Sequence, residues 1–173
     1  MNAYNDQQRQ VKGHLVVKTF GLFKLLRPIY RLLGGLPLVT AENVPVTVQF
    51  KTTSADNGFQ FNRTFAFHNN KPYAFNSVMF PVKNNEFYEV MRFGVSWRFT
   101  LSFEGGNKIV YQHRGFGFRL FNTFLPLPVT ALMGKGAGEE VMVDDDSFDM
   151  RITFTHPLFG LLYTYYGRFT FTA

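Results

Sequence analysis

The alternation of bulky apolar and polar residues from Val44 to Phe171 constrains this chain more than any other feature. It is clearest over residues 44–50, 59–67, 87–103 and 148–154, where the aromatic and branched side chains share one parity. A period of two is typical of β-strands that bury one face. Turn-forming residues separate the runs, and no strand alternates with a helix, so a parallel βαβ fold is disfavoured. The pattern predicts hairpin-linked strands in an antiparallel meander.

The segment before this alternation has the one convincing helical pattern. Between residues 15 and 35 an apolar face carries Leu22, Leu26, Ile29 and Leu33, and a basic face carries Lys24, Arg27 and Arg31. Pro28 lacks a backbone donor and crowds the preceding turn, so we expect a kink or two short helices joined there. We therefore predict a polar, flexible N-terminus over residues 1–14 and a single β-rich domain over 15–173, with an N-terminal amphipathic helical segment at 15–35.

Two regions of the predicted sheet need special geometry. The run from 87 to 103 would extend roughly 50 Å if straight, which exceeds a domain of this size, so we expect a bend at Gly94. The apolar parity of the next strand changes after Gly115, which predicts a bulge or a corner there. Residues 125–138 contain two prolines and three glycines and are expected to form a long loop.

A long meander with bare edges tends to curl into a barrel or half-barrel. The fold class is therefore mainly β, with lipocalin-like and fatty-acid-binding barrels as analogues of architecture. A helix-grip fold is the alternative, although that fold normally ends in a long helix and this chain ends in a strand. Small barrels either fill their interior with side chains or enclose one apolar ligand. The sequence leaves both possibilities open.

Four polar residues share the parity of the aromatic face, namely Arg63, Glu89, His113 and His156. A charge inside an apolar interior is costly unless it is paired. Arg63 and Glu89 on facing strands could thus form a buried ion pair, or Arg63 could emerge at the barrel mouth. The functional alternative is that Arg63 holds a carboxylate or phosphate head group of a ligand.

Composition removes several classes of function. The chain of 173 residues has no cysteine, which excludes disulfides, thiolate metal sites and cysteine catalysis. The formal charge of +6 is spread along the chain, so a nucleic-acid partner is not expected. The four histidines lack metal-ligand spacing, and no nucleophile elbow is present, so neither a metal nor another cofactor is predicted. No run of 18 apolar residues occurs, and a cytoplasmic location is expected, with peripheral contact to the inner membrane surface as the alternative.

Several short elements resemble a bacterial domain of unknown function that occurs alone or appended to saccharopine-dehydrogenase-like and thiol-disulfide-oxidoreductase-like proteins. The resemblance covers residues 15–171. Its elements are Leu36-Pro37, Phe61-Asn62-Arg63-Thr64-Phe65 followed by Ser77, Arg92-Phe93-Gly94, Pro126 with Pro128, His156-Pro157-Leu158-Phe159-Gly160, and Tyr166-Gly167.

The resemblance implies that Arg63 and His156 are features of the family, and it implies no reaction. The chain departs from the family pattern at two positions. Phe61 stands in place of a tryptophan, and Met91 stands where an acidic residue often precedes Arg92-Phe93-Gly94. If that acid pairs with the family's arginine, Glu89 is the expected substitute on the same strand face.

The leading hypothesis is a non-enzymatic binding domain for a hydrophobic, lipid-like ligand, with an acidic head group as one alternative. Arg63 would meet the polar end, with Glu89, His113 and His156 nearby and with the rings of Phe65, Phe93, Trp97 and Phe118 lining the cavity. An alternative is an enzyme or accessory domain in which Glu89 and His113 or His156 act as acid and base. A further alternative is a membrane-surface or protein-interaction module that uses Lys24, Arg27 and Arg31.

Overall fold

The computed structural model describes residues 9–53, 58–68, 71–121 and 123–172, which form a closed antiparallel β-barrel. Its strands are β1 Arg9–Thr19, β2 Ala41–Thr53, β3 Gly58–Phe65, β4 Tyr73–Pro81, β5 Glu86–Val90, β6 Val95–Glu104, β7 Lys108–Leu120, β8 Thr123–Leu127, β9 Lys135–Met142, β10 Ser147–His156 and β11 Gly160–Thr172. The short helices are α1 Gly21–Leu25, α2 Arg27–Leu32 and α3 Thr130–Met133.

Ten of the strands form the ring, in the order β6-β5-β4-β3-β2-β1-β11-β10-β9-β7, and the pairing of β6 with β7 closes it. The remaining strand, β8, pairs with residues 116–120 of β7, whereas β9 pairs with residues 108–112 of the same strand. All of these pairs are antiparallel. The predicted antiparallel meander and its curling into a barrel are thus confirmed.

The N-terminal strand β1 corrects the predicted start of the domain. Residues 9–14, expected to be flexible, and residues 15–19, expected to be helical, form one strand between β2 and β11. Val11, Leu15 and Val17 point into the core and are at most 1% exposed. The alternation of these three residues was obscured by the helical pattern that follows them. Residues 1–8 of the predicted flexible segment lie outside the described residues.

A single amphipathic helix over residues 15–35 is not present. The helical part consists of α1 and α2, which meet at Leu26, and Pro28 lies in the first turn of α2. Proline is tolerated there because the first N–H groups of a helix have no intrahelical partner. The alternative of two short helices is therefore the correct one.

The expected bend at Gly94 is instead a complete chain reversal. Residues 91–94 form a tight turn in which Phe93 and Gly94 have φ values of 60° and 84°. The strands on either side, β5 and β6, pair so that Phe87 lies opposite Phe99 and Glu89 opposite Trp97. Directly opposed residues of an antiparallel pair share a face. The odd parity therefore continues across the turn, and periodicity alone did not distinguish two strands from one.

The bulge in β7 was predicted correctly, but the loop over 125–138 was not. The register of β6 with β7 shifts at Arg114, as the change of parity predicts. The supposed loop contains the end of β8, all of α3 and the first half of β9. Its glycines allow close packing: a Cβ built on Gly136 would lie 2.8 Å from the Trp97 ring, and one on Gly138 would lie 2.4 Å from Ile152. The low β-propensity of glycine hid this strand.

The three helices cover one end of the barrel, together with the turns at 91–94 and 157–160, and we call this the helical end. The Tyr30 hydroxyl contacts the Met133 sulfur at 3.6 Å and so connects α2 with α3. The Phe23 ring packs on Phe154, with centroids 6.1 Å apart, and joins α1 to the barrel wall. The helical end is therefore an integral part of the core.

Candidate functional site

The barrel encloses a cavity of about 560 Å³ whose wall is mostly apolar. Near α2 and α3 the wall includes Ile29 and Leu132, which are each 51% exposed. The opening of the cavity therefore lies at the helical end. The sequence was compatible with a barrel filled by side chains and with a barrel that encloses a cavity. The structure has the cavity.

One group of polar side chains, the Arg63 cluster, consists of Arg63 on β3, Ser77 on β4 and Glu89 on β5. The Arg63 Nη2 atom lies 2.9 Å from Glu89 Oε1, and the two side chains are 11% and 12% exposed. Arg63 Nη1 donates to the Ser77 hydroxyl at 2.8 Å, and that hydroxyl donates to Glu89 Oε1 at 2.6 Å. The buried Arg63–Glu89 ion pair considered from the sequence is present.

The faces of the Arg63 guanidinium are also occupied. Its carbon lies 4.9 Å from the centre of the Phe61 ring and 4.7 Å from the centre of the Phe75 ring, within cation–π range. Burial is the largest single influence on the Arg63 pKa and lowers it, but the charge and hydrogen bond of Glu89, together with Tyr165 and Tyr111, outweigh burial, and the pKa is raised. The guanidinium therefore stays charged. Its terminal nitrogens contact Glu89 and Ser77, and the rings of Phe61 and Phe75 lie close to its central carbon.

A second polar group, the Glu140 cluster, lies across the ring on β7, β9 and β11. The Tyr111 hydroxyl donates to Glu140 Oε1 at 2.6 Å, and Tyr165 lines the same cavity. Burial raises the pKa of Glu140, and the Tyr111 hydrogen bond and the charge of Arg63 oppose this only in part. Burial is also the main cause of the raised pKa values of Tyr111 and Tyr165. Both phenols are consequently neutral hydrogen-bond donors.

The two clusters influence each other electrostatically. The charges of Arg63, Glu89 and Glu140 all contribute to the pKa of Tyr165. The interior contains one guanidinium and two carboxyl groups, and the guanidinium is paired with one of these. The site can therefore hydrogen-bond to a polar group of a ligand, but it does not present an uncompensated positive charge.

Trp97 lies on the cavity wall as expected, whereas His113 lies behind it. The indole Nε1 donates to His113 Nδ1 at 3.0 Å, and His113 Nε2 lies 3.4 Å from the Thr130 hydroxyl. Burial, followed by the positive charge of Lys135, lowers the pKa of His113. His113 thus orients the Trp97 ring and is not part of the cavity lining.

His156 is also placed away from the cavity. Its Nδ1 accepts the backbone N–H groups of Leu158 and Phe159 at 3.0 and 3.3 Å. The ring proton must therefore be on Nε2, which donates to the Ala131 carbonyl at 2.6 Å. His156 fastens the 157–160 turn to α3. Because Glu89, His113 and His156 are not brought together, the acid–base arrangement considered from the sequence is not formed.

Three of the predicted lining aromatics lie elsewhere. Phe65 is in the core, 1% exposed and stacked on Phe67. Phe93 is 63% exposed because the turn at 91–94 turns it outward. Phe118 is not among the lining residues of the cavity, whereas Phe116, two residues earlier on β7, is. The odd or even position of a residue predicted whether its side chain points into the barrel. It did not predict the height of the ring along the barrel axis, which decides whether the ring reaches the cavity.

Sequence reasoning missed Tyr111, Glu140 and Tyr165 as site residues. Glu140 has the same parity as Gly136 and Gly138, so recognising β9 as a strand would have placed its carboxyl inside. The cue was weak because the preceding residues resemble a glycine-rich loop.

The basic residues Lys24, Arg27 and Arg31 are exposed at the helical end. Arg27 and Arg31 also line a second cleft, which they share with Lys71 and Glu42. In the described part of the chain, no helix is long and apolar enough to span a membrane. Residues 9–53, 58–68, 71–121 and 123–172 contain no group of three or more His, Asp or Glu side chains arranged to hold a metal ion.

The fold and the cavity define a ten-stranded antiparallel β-barrel domain with a polar site inside an apolar interior. The chain belongs to the family described as a domain of unknown function (DUF4166), whose model matches residues 3–169. No curated protein matches the chain. A solved structure described as "Insights into Substrate Modification by Dehydratases from Type I Polyketide Synthases" aligns with a TM-score of 0.22 and 7% identity, covering 98% of this chain and 78% of that chain. A similarity this low supports no conclusion about fold or chemistry.

Proposed function

We propose that this domain binds a hydrophobic small molecule inside the barrel. The observation that carries the proposal is the apolar cavity of about 560 Å³ with two polar clusters on its wall. Small-molecule sites typically have volumes of roughly 300–1,000 Å³ and combine apolar walls with a few polar groups. Protein interiors are otherwise close-packed, and unfilled cavities destabilise them. A ligand that fills the space would restore the lost contacts.

The polar clusters favour a ligand with one polar group on an apolar body. The Arg63 cluster already pairs the guanidinium with the Glu89 carboxylate, so it does not require a ligand charge. The opening near Ile29 and Leu132 gives an entry route at the helical end. The expectation of an acidic ligand is therefore replaced by that of a largely apolar one.

The proposal can be tested with N-phenyl-1-naphthylamine, a neutral probe whose emission rises in apolar surroundings. Leu101 lines the cavity, so Leu101→Trp should fill part of it and weaken probe binding at least tenfold. Thr100→Trp is the matched control, because Thr100 faces outward and contacts Arg114. Thermal melting verifies folding, and Val48→Phe, also on the cavity wall, serves as a second filling variant.

Native mass spectrometry of the protein purified from bacteria provides an independent measurement. We expect a bound apolar species that organic extraction removes. The proposal fails if the wild type shows no saturable probe binding, or if both filling variants fold and bind the probe as the wild type does.

A second candidate function is contact with an anionic membrane surface through the helical end. Leu25, Leu32, Leu158 and Phe159 are between 60% and 83% exposed there. Lys24, Arg27, Arg31 and Lys135 lie on the same elements or next to them, and Glu42 is an acidic residue of the adjoining cleft. Exposed apolar side chains together with basic residues favour binding to anionic lipid surfaces. The surface surrounds the cavity opening, so such contact would bring the opening to a source of apolar ligand.

Co-sedimentation with phosphatidylcholine vesicles containing phosphatidylglycerol tests this candidate. Replacing Lys24, Arg27 and Arg31 with Gln, or Leu158 and Phe159 with Ser, should each reduce the bound fraction several-fold. Phe103→Ser is the control, because Phe103 is 77% exposed at the opposite end of the barrel. Binding that survives both sets of changes would eliminate this candidate.

A further inference from the structure

Two carboxyl groups line the cavity, and among the described residues Glu89 forms an ion pair with Arg63 whereas Glu140 forms none. It lines the apolar cavity, and Tyr111 donates to its Oε1 atom at 2.6 Å. The residue is only partly buried by surface area, since part of its surface faces the cavity. Its neighbour Glu139 points outward and pairs with Lys108 at 2.8 Å. Glu140 therefore presents a fixed carboxyl to whatever occupies the cavity.

The Arg63 cluster cannot easily serve as a receptor for an anionic head group. Both terminal nitrogens of Arg63 have protein partners, and the Phe61 and Phe75 rings lie against the guanidinium. A ligand carboxylate or phosphate would have to displace Glu89. That displacement would leave an unpaired buried carboxylate, which is strongly unfavourable. The placement of Glu140 across the ring adds a second carboxyl to the same space.

We propose that Glu140, oriented by Tyr111, is the head-group site of the cavity and takes a neutral oxygen group, a hydroxyl or a carbonyl, on an otherwise apolar ligand. This rests on the proposed function, because it assigns the polar contact of the same ligand. Burial favours the uncharged form of Glu140 by raising its pKa. An uncharged carboxyl can donate to a ligand oxygen through its O–H and can accept from a hydroxyl. Tyr111 keeps the other carboxyl oxygen occupied and so fixes the orientation.

Four probes of equal chain length separate the head-group chemistries: 1-dodecanol, 2-dodecanone, dodecanoate and dodecylammonium. Each is titrated against bound N-phenyl-1-naphthylamine at neutral pH. We expect the alcohol and the ketone to displace the probe at least tenfold more effectively than either charged compound. If dodecylammonium binds best, Glu140 is ionised and the inference is wrong. A preference for dodecanoate would also overturn the inference.

Variants at position 140 connect the selectivity to this side chain. Glu140→Gln is neutral and nearly isosteric, so it should bind the alcohol within a few-fold of the wild type. Glu140→Leu should keep the apolar probe but bind 1-dodecanol about tenfold more weakly. Glu139→Gln, on the outward face of the same strand, should leave every affinity unchanged. Unchanged alcohol affinity in folded Glu140→Leu would overturn the inference.

A pH titration gives an additional readout, because 1-dodecanol and 2-dodecanone do not ionise. The affinity of 2-dodecanone for the wild type should fall as the pH rises through the folded-state pKa of Glu140, because an ionised carboxylate has no O–H to donate to a carbonyl, whereas Glu140→Gln should show no such fall. If the probe binds but all four compounds displace it equally, the proposed function stands and this inference fails. If the probe does not bind the wild type, the proposed function itself fails.

Discussion

Arg63 and Glu89 neutralise each other inside the barrel wall, with their side-chain nitrogen and oxygen 2.9 Å apart and the Ser77 hydroxyl between them. The three residues come from the consecutive strands β3, β4 and β5. The family resemblance pointed to Arg63 and Ser77 without giving a reason. The acid that pairs with Arg63 in this chain is Glu89, the partner expected from its position on the same strand face as Met91.

Removing one member of this pair should cost more stability than removing both. Arg63→Met leaves a buried carboxylate without its partner, and we expect a loss of about 3–5 kcal/mol in the free energy of unfolding. The double variant Arg63→Met/Glu89→Leu should be markedly closer to the wild type. Denaturant unfolding of the two single variants and the double variant measures the coupling. Additive losses would show that the pair contributes as two independent residues.

The hydrogen bond from Trp97 to His113 predicts a pH-dependent fluorescence signal. Trp97 is the only tryptophan of the chain, and its Nε1 donates to an unprotonated His113 Nδ1 at 3.0 Å. Protonation of Nδ1 replaces this acceptor by a donor, so acidification should break the bond and change the emission. His113→Gln keeps an acceptor without titrating and should abolish the transition. An identical emission change in that variant would refute this origin.

The same histidine should also affect stability. The folded-state pKa of His113 is lowered from 6.5, mainly by burial. Below pH 6.5 the unfolded chain therefore binds more protons at His113 than the folded protein does. The stability that the folded protein has with neutral His113 is fully present above pH 6.5 and is lost as the pH falls through the folded-state pKa. The wild type should become less stable than His113→Gln on acidification, as measured by denaturant unfolding at several pH values. A constant difference between the two proteins would contradict this linkage.

His156 should prove structural. His156→Ala removes the acceptor of two backbone N–H groups and the donor to the Ala131 carbonyl. We expect a loss of about 1–3 kcal/mol in unfolding free energy, because buried groups lose their partners. His14→Ala, at an exposed position of β1, should change stability by less than about 0.5 kcal/mol. Wild-type stability of His156→Ala would show that these hydrogen bonds are not needed.

The glycines of β9 should resist enlargement on their inner side. Gly136→Ala places a methyl group 2.8 Å from the Trp97 ring, and overpacking of this kind costs about 1–3 kcal/mol. Ala137→Val adds bulk on the outward face of the same strand and should be nearly neutral. The denaturation midpoints of the two variants give the comparison. Equal midpoints would mean that the barrel wall relaxes at Gly136.

The sequence by itself determined the features that depend on local periodicity. The alternation of apolar residues determined the strand faces, the antiparallel meander and the inward direction of Arg63 and Glu89. Proline chemistry indicated two short helices around Pro28, and the change of parity indicated the bulge near Gly115. These properties follow from the side-chain directions of a single strand or helix, so a single segment is enough to predict them.

Only the tertiary structure decided the features that depend on contacts between distant segments. The pairings of β1 with β11 and of β7 with β9 join segments that are distant in the chain, and no local pattern contains this information. The turn at Phe93 preserved the parity of two strands and so concealed the reversal. Gly136 and Gly138 form a strand because Trp97, Tyr111 and Ile152 need the space of a missing Cβ. The site around Glu140 exists only because this strand faces Arg63 across the cavity, and that depends on closure of the barrel.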